Sequence, residues 1–399
     1  MIRSLDEPVN QSSIKIMIVA GEASGDKHGA ALALALRQLY PQTEFEFFGS
    51  GGDEMRGAGV ETLVDAREVA IIGIPEIARA FGRLYRAYRK LINAARQRRP
   101  STIVLIDWPD FNMRLARKLR REGFKIVYYV SPQVWAWRRY RLRALRRDVN
   151  HMLVILPFEE EFYRSAGIEV EYVGHPLAEA VRPSAGRDEF SRRHGLDAAR
   201  PIIALLPGSR EKEVHYHLPA MLDAALRISE LSNPQYVIPL ATTIARRQVE
   251  AIIEDANVRR EIEIAIVERD MYNALEHAEF AVVASGTATV EAALAGTPMV
   301  IVYRGSELNW RLIRPLIHLD TFGMVNLIAG RVIVPELIQR EMTGERIARE
   351  VQAILSDPAR LSRMRRDLEE VRERLRAGGS SGASRAARAV MRVASQLNL

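Results

Sequence analysis

The chain has 399 residues, 48% of them apolar and 27% charged, which is typical of a folded protein with two domains of ordinary size. It contains no cysteine, which excludes disulfides and thiolate metal sites, and no apolar run of about 18 residues that could cross a membrane. Its 57 Lys and Arg residues outnumber its 50 Asp and Glu residues, which suits an anionic partner such as a phosphorylated small molecule, an acidic lipid surface or nucleic acid.

Short apolar runs alternate with stretches of helical periodicity, such as 30–40 and 113–123, in the first part of the chain. The runs predict strands at 14–20, 45–48, 102–107, 125–130 and 151–156. The pattern then restarts, with predicted strands at 202–206, 236–240, 262–267, 280–284 and 299–303. This alternation predicts parallel sheets covered by helices on both faces.

A segment rich in Gly, Pro and charge, residues 174–201, separates the two sets and predicts a linker with one short helix. The predicted fold is therefore α/β, with two doubly wound Rossmann-like domains, 1–176 and 177–376, facing a central cleft. Ligands of such sheets bind at the carboxyl ends of the strands.

The turn after the first strand reads AGEASGDKHGA, residues 20–30. Its glycines are spaced G-x-x-x-G-x-x-x-G, which disfavours the dinucleotide fingerprint G-x-G-x-x-G. They allow close backbone approach, and the following helix offers free N–H groups to an anion. A turn that serves only helix–strand packing is the alternative.

Two turns of the second half predict a nucleotide-sugar site. In LPGSR, Gly208 and Ser209 form the turn, and Arg210 presents a planar fork of donors suited to a diphosphate. In SGTATVE, Ser285, Gly286 and Thr287 open a helix, and Glu291 lies one turn later, where it can accept hydrogen bonds from ribose hydroxyls.

Two basic segments favour a lipid surface. Residues 72–99 place Ile77, Phe81 and Leu84 on an apolar stripe with arginines mostly around the other side, as in an interfacial helix. An ordinary amphipathic helix with this stripe in the core is the alternative. The segment WAWRRYRLRALRR, 135–147, suits anionic lipid or, by stacking and phosphate contacts, RNA.

A series of motifs lies in order along the chain: GEASGD (21–26), IDWPDFN (106–112), YVSPQVWAWR (129–138), LPFE (156–159), GHP (174–176), LPGSR (206–210), SGTATVE (285–291) and NLIAGR (326–331). From about residue 14 to about 340 the chain resembles the lipid-A-disaccharide synthase family of inverting glycosyltransferases with the GT-B fold. The resemblance implies transfer of 2,3-diacylglucosamine from its UDP donor to 2,3-diacylglucosamine 1-phosphate (lipid X). The products are a β-1′,6-linked disaccharide 1-phosphate and UDP.

The resemblance also implies roles for single residues. Asp107, at the end of a predicted strand, is the favoured base for the acceptor hydroxyl, with Glu22 and Asp110 as competitors. The alternative for Asp107 is a purely structural role. The alternative for Asp110 is that it only caps the helix that follows. Ser24, Trp108 and Asp110 are assigned to the acceptor, and Asn326 to the UDP site.

No cofactor or metal is expected, because GT-B enzymes generally work without metal and the histidine pair in HYH (215–217) has no carboxylate cluster nearby. In such enzymes the C-terminal helix commonly returns to the first domain, which we expect of residues 384–399. The first 13 residues lack the apolar core of a secretory signal, so we expect a cytoplasmic protein, peripherally bound to the anionic inner membrane.

The sequence leaves two other functions as alternatives. One is a different GT-B enzyme that uses UDP-N-acetylglucosamine, such as a non-hydrolysing 2-epimerase. The other is a non-enzymatic RNA-binding protein, which we do not expect, since anionic lipid explains the same charges.

Overall fold

The structure is a computed structural model that describes residues 13–69, 77–230, 232–307, 310–311, 314, 321–376 and 381–395. These residues form two compact units. The first contains the described residues up to Pro176 together with the helix Gly382–Ser395 near the C-terminus. The second runs from Leu177 to Arg376.

The first unit is built on a parallel sheet in the order β3-β2-β1-β4-β5-β6-β7. Its strands are β1 (Ile14–Ala20), β2 (Phe45–Gly51), β3 (Glu61–Asp65), β4 (Thr102–Ile106), β5 (Ile126–Tyr129), β6 (His151–Val154) and β7 (Val170–Tyr172). Its helices are Ala23–Leu39, Asp53–Gly57, Ala66–Val69, Ile77–Arg98, Pro109–Arg121, Leu142–Asp148, Pro157–Ser165 and Gly382–Ser395.

The second unit repeats the design with the strand order β10-β9-β8-β11-β12-β13. Its strands are β8 (Ile202–Leu206), β9 (Gln235–Leu240), β10 (Ile264–Glu268), β11 (Phe280–Ala284), β12 (Met299–Tyr303) and β13 (Glu336–Ile338). Its helices are Leu177–Ala180, Arg187–His194, Glu211–Ser229, Arg246–Asp255, Met271–His277, Thr287–Ala295, Met324–Ala329, Gly344–Leu355 and Pro358–Arg376.

Each face of the first sheet is covered by its own apolar core, because neighbouring residues of a strand point to opposite faces. Met17 and Val19 of β1 lie in one core together with Leu91 of the helix Ile77–Arg98. Ile16 and Ile18 lie in the other core, which the helix Gly382–Ser395 completes by packing against the helix Ala23–Leu39. The predicted α/β class with parallel sheets is confirmed.

From residue 177 onward, the expected linker, 174–201, is instead a packed part of the second unit. It contains two helices, Leu177–Ala180 and Arg187–His194, so the prediction of one short helix is wrong. Phe190 is fully buried, and the Arg187 guanidinium donates hydrogen bonds to the carbonyls of Ala198 and His277 at 2.8 and 2.9 Å. Arg187, one of the charged residues of this segment, therefore holds it against the rest of the second unit.

In the part of the chain that the structure describes, no helix combines the length and the apolar character needed to span a membrane.

Candidate functional site

In the first unit, the end of β4 presents Asp107 and Trp108 in an unusual backbone conformation. Both residues have left-handed φ values, 47° and 48°, just before the helix Pro109–Arg121 begins. The Asp107 carbonyl accepts hydrogen bonds from the Tyr128 hydroxyl at 2.7 Å and from the buried Asn112 amide at 2.8 Å. These bonds fix a conformation that residues with a side chain adopt at a cost.

Asp107 and Glu22 follow neighbouring strands, β4 and β1, and their like charges interact unfavourably. Burial, together with the negative charge of exposed Glu22, raises the pKa of Asp107 to about 6. The structure thus brings Asp107 close to Glu22, one of its two competitors for the role of base, and of this pair it withdraws only Asp107 from water.

Trp108 joins this turn to the first one. Its ring stacks on Phe111 with a centroid distance of 3.9 Å, and a Cβ at Gly21 would overlap it. Gly21 is therefore needed for this close approach, and part of Trp108 serves packing. Ser24 lies exposed in the first turn of the helix Ala23–Leu39, on the same loop as Glu22.

Asp110 is exposed and bound to arginine. Arg141 forms an ion pair with it, and Arg138 lies 3.7 Å away. The Asp110 side chain makes no hydrogen bond that caps the helix Pro109–Arg121, which begins one residue earlier. These ion pairs occupy the Asp110 carboxylate, so a role as proton acceptor would compete with the two arginines.

Asp26, from the same glycine-rich turn, has a structural role. Its buried carboxylate accepts hydrogen bonds from the backbone N–H groups of Gly52, Glu54 and Met55 at 2.6, 3.0 and 3.2 Å. It therefore caps the short helix Asp53–Gly57 and holds the loop after β2. Folding therefore accounts for this charged residue of the turn.

The motifs YVSPQVWAWR and LPFE meet at Glu159. This buried carboxylate accepts hydrogen bonds from the Ser131 hydroxyl, the Trp135 indole N–H and the Leu156 backbone N–H. Burial raises the pKa of Glu159 to about 7. The loop after β5 and the segment after β6 are therefore held together by hydrogen bonds to this buried carboxylate.

Beyond Trp135 the same loop is exposed. Trp137 and Tyr140 are 42% and 72% exposed, and the Arg138 guanidinium lies 3.9 Å from the Trp137 ring centroid. An aromatic and basic surface is thus present in the segment where the sequence predicted lipid contact.

The predicted interfacial helix is Ile77–Arg98. Leu84 and Tyr88 are half-buried and pack against the core, and Leu91 lies within it, so this part of the stripe faces inward. The expectation that Leu84 contacts lipid is corrected accordingly. The side chains of Ile77 and Phe81 lie outside the described residues. The outward face carries Tyr85, 51% exposed, among exposed basic residues.

In the second unit, a pocket of about 620 Å³ opens at the carboxyl ends of β8, β9, β10 and β11. Such a volume is in the range of small-molecule sites. Seven predicted nucleotide contacts line it, from two separate turns: Gly208, Ser209, Arg210, Ser285, Gly286, Thr287 and Glu291.

The pocket wall at Glu291 is polar, but the Glu291 carboxyl group is largely buried from solvent. Burial raises the pKa of Glu291, and the Tyr272 hydroxyl donates a hydrogen bond to it at 3.3 Å. Tyr272 and Asp270 also line the pocket, although neither was among the residues predicted from the sequence. The sequence could have indicated them, because RDMYN (269–273) follows a predicted strand in the same way as the two turns do.

Asn326 does not line this pocket. Its amide group donates to the Val334 carbonyl and to Glu336, and its oxygen accepts from the backbone N–H groups of Ile333 and Val334. Both donors and both acceptor positions are used within the fold. The assignment of the Asn326 side chain to UDP is therefore corrected, because it closes the turn before β13.

Of the histidine pair, His217 is buried between the Pro207 carbonyl, at 2.7 Å, and the backbone of Arg304, at 3.0 Å. It ties the loops after β8 and β12 together, while His215 is exposed. Among the described residues, no cluster of three or more His, Asp or Glu is placed to hold a metal ion.

Comparison with solved structures defines the class of protein as a GT-B fold. A UDP-GlcNAc 2-epimerase from Neisseria meningitidis aligns with a TM-score of 0.62 at 11% identity, covering 96% of this chain and 100% of that one. A glycosyltransferase from Rickettsia africae aligns with a TM-score of 0.58 at 10% identity, covering 97% and 100%. At these identities the likeness concerns the fold alone.

Sequence comparison identifies the family. The family model described as lipid-A-disaccharide synthetase matches residues 16–390, and the chain belongs to this family. A lipid-A-disaccharide synthase of Koribacter versatilis is 46% identical over 387 residues, covering 96% of this chain and 99% of the relative. One of Myxococcus xanthus is 44% identical over 378 residues, covering 94% and 97%.

Proposed function

We propose that this chain transfers 2,3-diacylglucosamine from UDP-2,3-diacylglucosamine to 2,3-diacylglucosamine 1-phosphate. The acceptor's primary hydroxyl loses its proton as its oxygen bonds to the anomeric carbon, and the bond from that carbon to the diphosphate breaks. The products are the β-1′,6-linked disaccharide 1-phosphate and UDP. Membership of the family, over nearly the whole chain, supports this reaction.

The single observation that carries the nucleotide part is the convergence of two distant turns on one pocket. Arg210 and the turn of Ser285, Gly286 and Thr287 bind the diphosphate, because a guanidinium and helix N-terminal amides suit phosphate oxygens. Glu291 accepts hydrogen bonds from the ribose hydroxyls. Fixed donors of this kind stabilise the charge that develops on the departing UDP.

Asp107 is the base in this proposal. With a pKa of about 6, Asp107 is mostly ionised at neutral pH. This pKa is also close enough to pH 7 for the carboxylate to accept a proton efficiently. Glu22 assists by its charge, which raises the pKa of Asp107. Ser24, Trp108 and Asp110 border the same strand ends and are the proposed acceptor contacts.

Association with an anionic membrane surface is the proposed way in which the enzyme meets its acylated substrates. The exposed Trp137 and Tyr140 among arginines suit an interface of acidic headgroups, as does Tyr85 with its basic neighbours. Each Lys or Arg near such a surface contributes about 1 kcal/mol of attraction. We therefore propose peripheral binding at the cytoplasmic face of the inner membrane.

The test is to incubate the purified chain with both lipid substrates and separate the products by thin-layer chromatography. A disaccharide phosphate should appear together with UDP. A second incubation with UDP-N-acetylglucosamine alone tests the epimerase alternative. Conversion to its 2-epimer, without any disaccharide from the lipid pair, would overturn the proposal.

A further inference from the structure

Three hydrogen-bond donors of the PGSR turn converge on one carboxylate of the chain itself. The backbone N–H groups of Ser209 and Arg210 donate to Glu213 Oε2 at 3.1 and 3.3 Å, and the Arg210 guanidinium donates to Glu213 Oε1 at 2.9 Å. Two turn amides and an arginine fork are the donor set expected around a phosphate group. Here an internal anion fills it.

The turn is shaped around this carboxylate. Gly208 has a φ of 121°, and a Cβ at that position would lie 2.6 Å from Glu213 Oε2. Glycine therefore makes room for the Glu213 side chain as well as for the turn itself.

The occupied position is also open to a ligand. The Arg210 side chain is 82% exposed and that of Glu213 22% exposed. Both line the pocket of about 620 Å³, and both also line a second pocket of about 840 Å³. The carboxylate can thus leave the donors by rotation of its own side chain, with space beside it.

We propose that Glu213 occupies the position of the diphosphate in the unliganded protein and is displaced when UDP binds, so that it sets the affinity for the nucleotide. This rests on the proposed function, since it takes the pocket as the UDP site. Glu213 neutralises Arg210 and satisfies the two amides while the pocket is empty. The same donors therefore bind an anion in both states, the Glu213 carboxylate in the empty protein and the diphosphate when UDP is bound.

A competing internal anion lowers the apparent affinity by the fraction of molecules in which the donors are free. Replacing Glu213 with glutamine keeps the shape but removes the charge, and should tighten UDP binding on the order of tenfold. Inorganic pyrophosphate should gain similarly, whereas uridine, which has no phosphate, should bind unchanged.

The measurement is isothermal titration of the full chain and of Glu213→Gln with UDP, pyrophosphate and uridine. Glu211→Gln is the matched control, because it removes the same charge from the same helix although Glu211 binds Gln248 and not the turn. The control should change UDP affinity by less than about twofold. Equal gains in both variants would show a general charge effect and overturn the proposal.

Weaker or unchanged UDP binding in Glu213→Gln would show that Glu213 only caps the helix, and would also overturn it. If wild type binds neither UDP nor pyrophosphate, the proposed function fails instead. Should the variant not fold, the carboxyl carbon resonance of Glu213 in wild type decides by NMR. It should shift on adding UDP but not uridine, and no shift with saturating UDP contradicts displacement.

Discussion

Glu22 and Asp107 show how position decides the role of a residue. Both are carboxylates at adjacent strand ends, but Glu22 is exposed, whereas Asp107 is partly buried on a turn fixed by Asn112 and Tyr128. Burial is the larger cause of its raised pKa, and the charge of Glu22 adds to it. The sequence shows two acids in two motifs, but it does not show which one the fold withdraws from water.

Asp107→Asn should lower turnover at least ~10²-fold, because the asparagine keeps the shape but cannot accept the proton. UDP affinity should hardly change. Steady-state kinetics and titration with UDP measure the two effects, and Asp53→Asn, an exposed acid of the same unit, is the control.

The pH profile distinguishes the two acids. With a pKa of about 6 for Asp107, kcat/KM should rise as pH increases through about 6 and level off above it. Glu22→Gln removes a negative charge, lowers the pKa of Asp107 and moves the rise to lower pH. An inactive Glu22→Gln beside a nearly normal Asp107→Asn would make Glu22 the base.

Arg210→Ala should weaken UDP binding by about 1.5–3 kcal/mol, the usual contribution of a hydrogen bond to a charged group. Arg246→Ala is the control, since Arg246 is an exposed arginine of the same unit whose partners are Glu250 and Glu268. Calorimetric titration gives both affinities. Equal UDP binding by wild type and Arg210→Ala would remove Arg210 from the site.

At the scale of elements, motifs divide between folding and function. The loop after β5 is held by Glu159, whereas its exposed tip carries Trp137 and Tyr140. The helix Ile77–Arg98 divides likewise, with Leu91 in the core and Tyr85 outside. Helical periodicity in the sequence showed an apolar stripe but not whether protein or lipid covers it.

Glu159 should make stability depend on pH. Its pKa is about 7 in the folded protein against 4.5 as the ordinary value, so protonation favours the folded state. This contribution is complete below pH 4.5 and is lost as pH rises through about 7. The excess stability of wild type over Glu159→Gln, measured by urea unfolding, should therefore shrink across this range. A constant difference would mean that Glu159 does not titrate there.

Two substitutions in one helix separate core from surface. Leu91→Ala should cost about 2–5 kcal/mol of unfolding free energy, because it opens a cavity. Tyr85→Ser should change stability by less than about 0.5 kcal/mol but reduce cosedimentation with anionic vesicles. Thermal unfolding and vesicle binding measure the two. Full vesicle binding by Tyr85→Ser would remove this face from the proposed membrane surface.

For the whole molecule, apolar patterning predicted the α/β class and the central strands, because buried parallel strands are continuous apolar runs. It missed β3, β7 and β13, which are short strands at the sheet edges with polar residues such as Glu61 and Glu171. The motif turns at 208–210 and 285–291 were predicted at strand ends and do share a pocket. The sequence did not predict the roles of Asn326, Glu213 and Asp26. Only the three-dimensional contacts show which polar side chains are engaged in hydrogen bonds within the fold.

The most direct measurement is NMR of the reaction with both lipid substrates. We expect one UDP released for each disaccharide 1-phosphate formed, a β anomeric linkage, and no UDP from the donor alone. Asp107→Asn, under the same conditions, should give almost no product. Release of UDP without the disaccharide, or an α linkage, would contradict the proposed inverting transfer.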